Sequence, residues 1–212
     1  MRANRLVKMV VSALLSLFVL LRLASAADDS TEIDQYTIAG HLIFATSPLV
    51  ARDQYGDYRK LTARSNIFVA DTLKLRLGNQ GQFRLRDGAI FEISDRAELT
   101  VSDFSPHEGN ILARSVLFLH RGRVQFFVGL ETQDSPSLRI IKTPVGWLET
   151  ENGMFSVSLN ENGQMDVRVS SGQVRVSNPK GALTIGDDQS YYAAQVSSLS
   201  AEPRGKRYTT TR

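Results

Sequence analysis

An all-β fold follows from three features of this chain. Apolar and polar residues alternate with a period of two. Turn residues interrupt that alternation at intervals of about 8 to 12 residues. No window after residue 30 holds an apolar period of 3.6. The stretch from Val69 to Val101 shows all three, reading VADTLKLRL, GNQG, QFRLR, DG, AIFEIS, DRA, ELTV. Phe83 and Leu85 fall on one face, and Gln82, Arg84 and Arg86 on the other. We read strand, turn, strand, turn, strand, with Arg84, Arg86 and Asp87 as the wet face and turn of a hairpin. Many short antiparallel hairpins of this kind assemble as an irregular β-solenoid-like stack or a sandwich. A strict repeat is absent, so a perfect solenoid is disfavoured.

The elements follow in order. Arg2, Arg5 and Lys8 precede an apolar run from Met9 to Leu21, and Ala24-Ser25-Ala26 places small residues where a signal peptidase cuts. The run falls short of the roughly 20 residues that span a bilayer. Residues 1–26 are therefore expected to be a signal peptide, with cleavage after Ala26, or else after Ala27. Residues 27–36 are acidic and loose. Residues 37–196 form the all-β domain. In it, TIAGHLIFATSPLVA supplies one or two strands with a bend at Ser47-Pro48, and Asp53 to Asp57 is a turn. Ser102 to Asn110 reads as a loop. VLFLH and RVQFFV are two strands joined around Arg121-Gly122. Leu138 to Ile141 is a short strand ending at Thr143-Pro144. The runs around Phe155, Val167, Val176 and Leu183 continue the scheme, with Asn162-Gly163 as a hairpin turn. Residues 197–212 carry Arg204, Lys206, Arg207 and Arg212 without core residues, and read as a disordered polar tail.

Charge and composition exclude several classes. The net charge is +3, and the four cations of residues 1–26 leave −1 on the exported chain. No basic excess argues for nucleic acid. There is no cysteine, hence no disulfide, thiol chemistry or lipoprotein attachment. His41, His107 and His120 lie far apart and are expected to be surface or core residues, not metal ligands. The acid pairs Asp28-Asp29 and Asp187-Asp188 fall in the N-terminal segment and a turn. No nucleophile elbow, zinc-protease helix or phosphate loop is present. No catalytic, cofactor-binding or metal residue is assigned, and no cofactor is expected.

Four aromatics are candidate contact residues: Trp147, Tyr191, Tyr192 and Phe127. Trp147 is the single tryptophan. Large aromatics are mostly buried, which favours a core position for it beside Thr143-Pro144. Exposed, it would stack on sugars or anchor a protein. Phe126 and Phe127 point to opposite sheet faces, so one is core and the other needs cover or marks a contact.

The order of phrases resembles the FecR-like family of bacterial envelope proteins. The matching residues are Ala70-Asp71-Thr72-Leu73, Gly78, Gly81-Gln82-Phe83-Arg84-Leu85 and Asp87-Gly88. Then come Leu119-His120-Arg121-Gly122-Arg123-Val124, Val128-Gly129, Thr143-Pro144, Val169-Ser170-Ser171-Gly172-Gln173-Val174-Arg175-Val176 and Asp188-Gln189. The family's Arg-Gly-Thr-x-Phe falls on Glu151-Asn152-Gly153-Met154-Phe155, with the aromatic in place and the glycine replaced by Asn152. Asn152, tolerant of positive φ, would take that glycine's place. The resemblance implies a periplasmic binding domain, a regulatory or sensory accessory that meets an unidentified envelope protein. Only eight residues precede Met9, so direct contact with a cytoplasmic sigma factor is not expected. The alternative is an envelope polysaccharide-binding or structural module.

Overall fold

Two long strands carry the architecture, and the sequence breaks each of them where the backbone only bends. The computed structural model describes residues 37–105, 113–127, 137–186, 189–194 and 202–204, with side chains described up to residue 186. The expected signal peptide and residues 27–36, His107, Asp187 and Asp188 lie outside the described residues. So do the side chains of Tyr191 and Tyr192.

The chain is all-β. Its strands are β1 (Ile38–Ala45), β2 (Leu49–Arg52), β3 (Tyr58–Leu61), β4 (Asn66–Phe68), β5 (Thr72–Lys74), β6 (Gly81–Leu85), β7 (Ile90–Ser105) and β8 (Ala113–Phe127). There follow β9 (Ser137–Thr143), β10 (Gly146–Thr150), β11 (Gly153–Leu159), β12 (Gln164–Gly172), β13 (Val174–Asn178), β14 (Gly181–Ile185), β15 (Gln189–Ala194) and β16 (Glu202–Arg204). All belong to one sheet, antiparallel except where β8 runs parallel to β9. The sheet is not closed into a barrel.

β7 and β8 pair along nearly their whole length and are shared by two wings. The residues after Arg96 in β7 and before Arg121 in β8 lie in the order β3-β2-β5-β7-β8-β9-β10-β13-β14. The other halves lie in the order β4-β1-β6-β7-β8-β11-β12-β15-β16. Between the halves, Asp95-Arg96-Ala97 stand opposite Gly122 alone, a bulge of three residues against one. Asp95, Arg96 and Gly122 take φ of 58°, 57° and 85°. A Cβ on Gly122 would come within 2.4 Å of the Ala97 Cα, so only glycine fits. The expected turns at Asp95-Arg96-Ala97 and Arg121-Gly122 are thus one bulged corner within continuous strands. Likewise, Ser102–Ser105 continue β7 where a loop was expected.

Each wing turns one apolar row inward. Leu42, Phe83, Phe91, Phe126, Phe155 and Val169 are successive cross-strand partners in one wing. Its four phenylalanines stack with centroids 4.9, 5.8 and 5.4 Å apart. Val101, Leu117, Ile141, Leu148, Val176 and Leu183 form the row of the other wing. Both rows belong to one contiguous core. Alternation over strands of five or more residues places them there, since one register fixes every side chain on a strand.

Three local expectations need correction. Asp87 is not a wet turn residue: its side chain is 4% exposed and pairs with the buried Arg139. Arg84 and Arg86 are exposed, as their alternation implies. Asn152 does not adopt positive φ. Gly153 does, at 111°, and packs against its strand partner Gly172, where a Cβ would meet the Ser171 carbonyl at 2.4 Å. The close approach expected at position 152 is made one residue later. Finally, Glu202–Arg204 within the expected tail pair with β15 as a strand.

Candidate functional site

The outward faces of the two wings carry the candidate contact residues, and register fixes their neighbours. On the wing of β9 and β10, one outward row runs Arg52, Thr72, Thr100, Phe118, Lys142, Trp147, Ser177, Ala182. Trp147 is 37% exposed, so it does not fill the core. Its strand β10 alternates, and Leu148, not Trp147, takes the inward place. Lys142 beside it is exposed, and Phe118 is half-buried. The His120 ring lies 4.5 Å from that of Phe118, and its Nε2 is 2.9 Å from Thr100 Oγ1.

A cleft of about 330 Å³ opens on the same face, lined by Leu138, Glu149, Glu151, Asn152, Gln173 and Arg175 among others. Glu149, Arg175 and Thr184 form the outward row next to that of Trp147.

On the other wing the outward row runs His41, Arg84, Ile90, Phe127, Met154, Ser171. Its middle is apolar across three adjacent strands. Ile90 and Phe127 are half-buried and Met154 is 38% exposed. Phe126, with 1% exposure, takes the core place. Sequence alternation identified Phe127 but not its companions, since Ile90 and Met154 reach it only through strand pairing. Tyr191 and Tyr192 are in register with Val167 and Asp166, on β15, the sheet neighbour of β12. The structure therefore does not bring the four aromatics together. Trp147 and Phe127 lie on different wings.

The charged groups around the corner are largely occupied. Glu98 accepts from Lys74 Nζ at 2.9 Å and from Arg121 Nη2 at 3.0 Å. Burial pushes the Glu98 carboxyl up, but Lys74, Arg121 and His120 together outweigh it and hold it below its usual range. Burial, together with the Lys74 and Arg121 charges, depresses the His120 pKa against the pull of Glu98. A second cleft at the corner, about 340 Å³, is lined by Arg96, Arg121 and Arg123. Arg96 meets Glu161 at 3.3 Å, and Arg123 donates to Ser156 Oγ at 3.4 Å. Each of the three arginines thus has a partner, Arg121 through Glu98.

Asp71, in the Ala70-Asp71-Thr72-Leu73 phrase, is buried and structural. Its Oδ2 accepts from the Arg59 guanidinium and from the Phe68 N–H. The Arg59 guanidinium also sits 4.8 Å from the Phe68 ring centroid. Burial lifts the Asp71 carboxyl above its ordinary value despite these partners. Among the described residues, no three His, Asp or Glu side chains converge as a metal site.

No protein-family model and no curated protein matches the chain. Solved structures do. One is described as a "putative anti-sigma factor" from Parabacteroides distasonis ATCC 8503, similar at TM-score 0.50 and 16% identity over 64% of this chain and 59% of that one. A second structure with the same description gives TM-score 0.49 and 15% identity over 63% and 59%. The chain thus spans about three fifths of the length of the structures it matches. At this identity the first match shows a shared fold.

Proposed function

We propose that this chain is an exported, non-enzymatic regulatory accessory of the bacterial envelope that acts by binding another protein. The observation that carries the reading is the outward apolar row Ile90, Phe127, Met154. Three apolar side chains on adjacent strands, flanked by Arg84 and Ser171, form the apolar centre and polar rim of a protein contact. The fold shared with a protein described as a "putative anti-sigma factor" supports a regulatory role. So does the ordered phrase series that resembles the FecR-like family, and the signal-like N-terminus supports a periplasmic address. The partner is an envelope protein, reached without contact to a cytoplasmic sigma factor.

The test is genetic. Deleting the chain changes transcription of a narrow gene set, wild type restores it, and a folded, exported Met154→Asp chain does not. Unaltered transcription on deletion, or full restoration by Met154→Asp, argues against the reading. Intact mass of the periplasmic form, beginning at Ala27, checks the export step.

A further inference from the structure

The cleft beside Trp147 holds polar side chains that the fold itself does not use. Glu149 and Arg175 are direct cross-strand partners of opposite charge on the outward face. Such pairs ordinarily close an ion pair. Here neither side chain makes a hydrogen bond or ion pair among the described residues, and the same holds for the side chains of Glu151 and Gln173. Four side chains whose donors and acceptors have no partner among the described residues therefore line one cavity of about 330 Å³. Trp147, with its exposed indole, lies outside the cleft lining but two residues along β10 from Glu149 on the same face, a backbone rise of about 7 Å.

We propose that this cleft binds a neutral oligosaccharide, an activity additional to the protein contact on the other wing. A pyranose ring offers an apolar C–H face and a rim of hydroxyl groups that both donate and accept. Trp147 supplies the flat apolar platform. Glu149 and Glu151 accept, Arg175 donates, and Gln173 does both. The charges decide between neutral and acidic sugars. Glu149 and Glu151 balance Arg175 and Lys142, so no net positive field selects a uronate. The volume lies at the small end of ligand sites, which suits one sugar residue in the cleft and its neighbour on the indole.

Trp147 is the only tryptophan of the chain, so tryptophan emission, excited at the red edge where tyrosine does not absorb, reads this site alone. The purified chain is titrated with hexamers of β-1,4-glucose, α-1,4-glucose, mannose and N-acetylglucosamine, and with galacturonate hexamer as the anionic probe. The expected result is a saturable emission change with at least one neutral hexamer. Glu149→Gln and Arg175→Ala weaken it at least tenfold with an unchanged melting curve. Calorimetry shows the same loss for Trp147→Ala. No saturable response to any neutral hexamer overturns the proposal. A response to galacturonate alone, or full affinity in Glu149→Gln and Arg175→Ala, also overturns it. Because Met154 lies on the other wing, Met154→Asp leaves sugar binding intact, which separates this proposal from the protein contact.

Discussion

Arg139 on β9 and Asp87 in the turn before β7 meet at 3.1 Å with both side chains almost wholly out of water, 1% and 4% exposed. The pair joins two wings that share no strand at that point. Ser137 Oγ donates to the same Asp87 oxygen at 3.1 Å, and the Ala89 N–H donates to the other. Arg139 Nη1 donates to the Glu151 and Ser137 carbonyls at 2.8 and 3.2 Å. Burial lowers the Arg139 pKa, and Asp87 opposes that shift. A lone charge here is expensive, whereas an apolar replacement of the pair costs little. Asp87→Ala is expected to lose about 3–5 kcal/mol in urea unfolding. Arg139→Met combined with Asp87→Asn loses less than Asp87→Ala alone. A double variant that loses as much as Asp87→Ala, or more, contradicts this.

The pair also marks the limit of what the sequence conveys. Asp87-Gly88 has the composition of an exposed turn, and Arg139 sits among alternating apolar residues. Their positions are 52 residues apart, so no local pattern couples them. The inward rows, in contrast, were legible, because the alternation of Phe83, Leu85 and Phe91 is local. The corner fell between. Asp95-Arg96-Ala97 and Gly122 are turn residues, and turns and bulges draw on the same positive-φ chemistry. Only the pairing of β7 with β8 shows that they are one feature. Trp147 was misplaced for a related reason. A preference for burying large aromatics lost to the register of a five-residue strand whose inward places belong to Gly146, Leu148 and Thr150.

Gly122→Ala tests the corner. The new methyl group meets backbone atoms on the opposite strand, which cannot swing away, and the residue keeps positive φ. A loss of at least about 2 kcal/mol is expected from denaturant curves. Arg96→Gly, which relieves a positive φ at an exposed site, changes stability by less than about 1 kcal/mol. Equal losses for the two variants are incompatible with a glycine-dependent bulge.

Three titratable groups, two near the corner and one buried, predict opposed pH dependences. Glu98 is held below its ordinary value of 4.5, so its contribution is present above that value and fades as pH falls through the lowered one. His120 is depressed below 6.5, so its contribution is present above 6.5 and fades as pH falls toward the lowered value. Asp71 is raised above 3.8, so it favours the fold fully below 3.8, and that support is lost as pH rises through the raised value. Glu98→Gln and His120→Gln should flatten the acid-side fall of stability. Asp71→Asn should steepen it between the raised value and 3.8. Melting temperatures from pH 8 to pH 3 distinguish the three.

The phenylalanine row predicts the largest loss in the core. Phe126 stacks between Phe91 and Phe155 in that row. Phe126→Ala should cost about 3–5 kcal/mol, and Phe126→Leu markedly less, by chemical denaturation.

A photo-crosslinking amino acid placed at Met154 in living cells asks whether the outward apolar row touches a protein partner. One reproducible adduct with an envelope protein is expected at Met154, and none when the probe stands at Asn162 in the exposed turn. No adduct at Met154, or the same adducts at both positions, would contradict it.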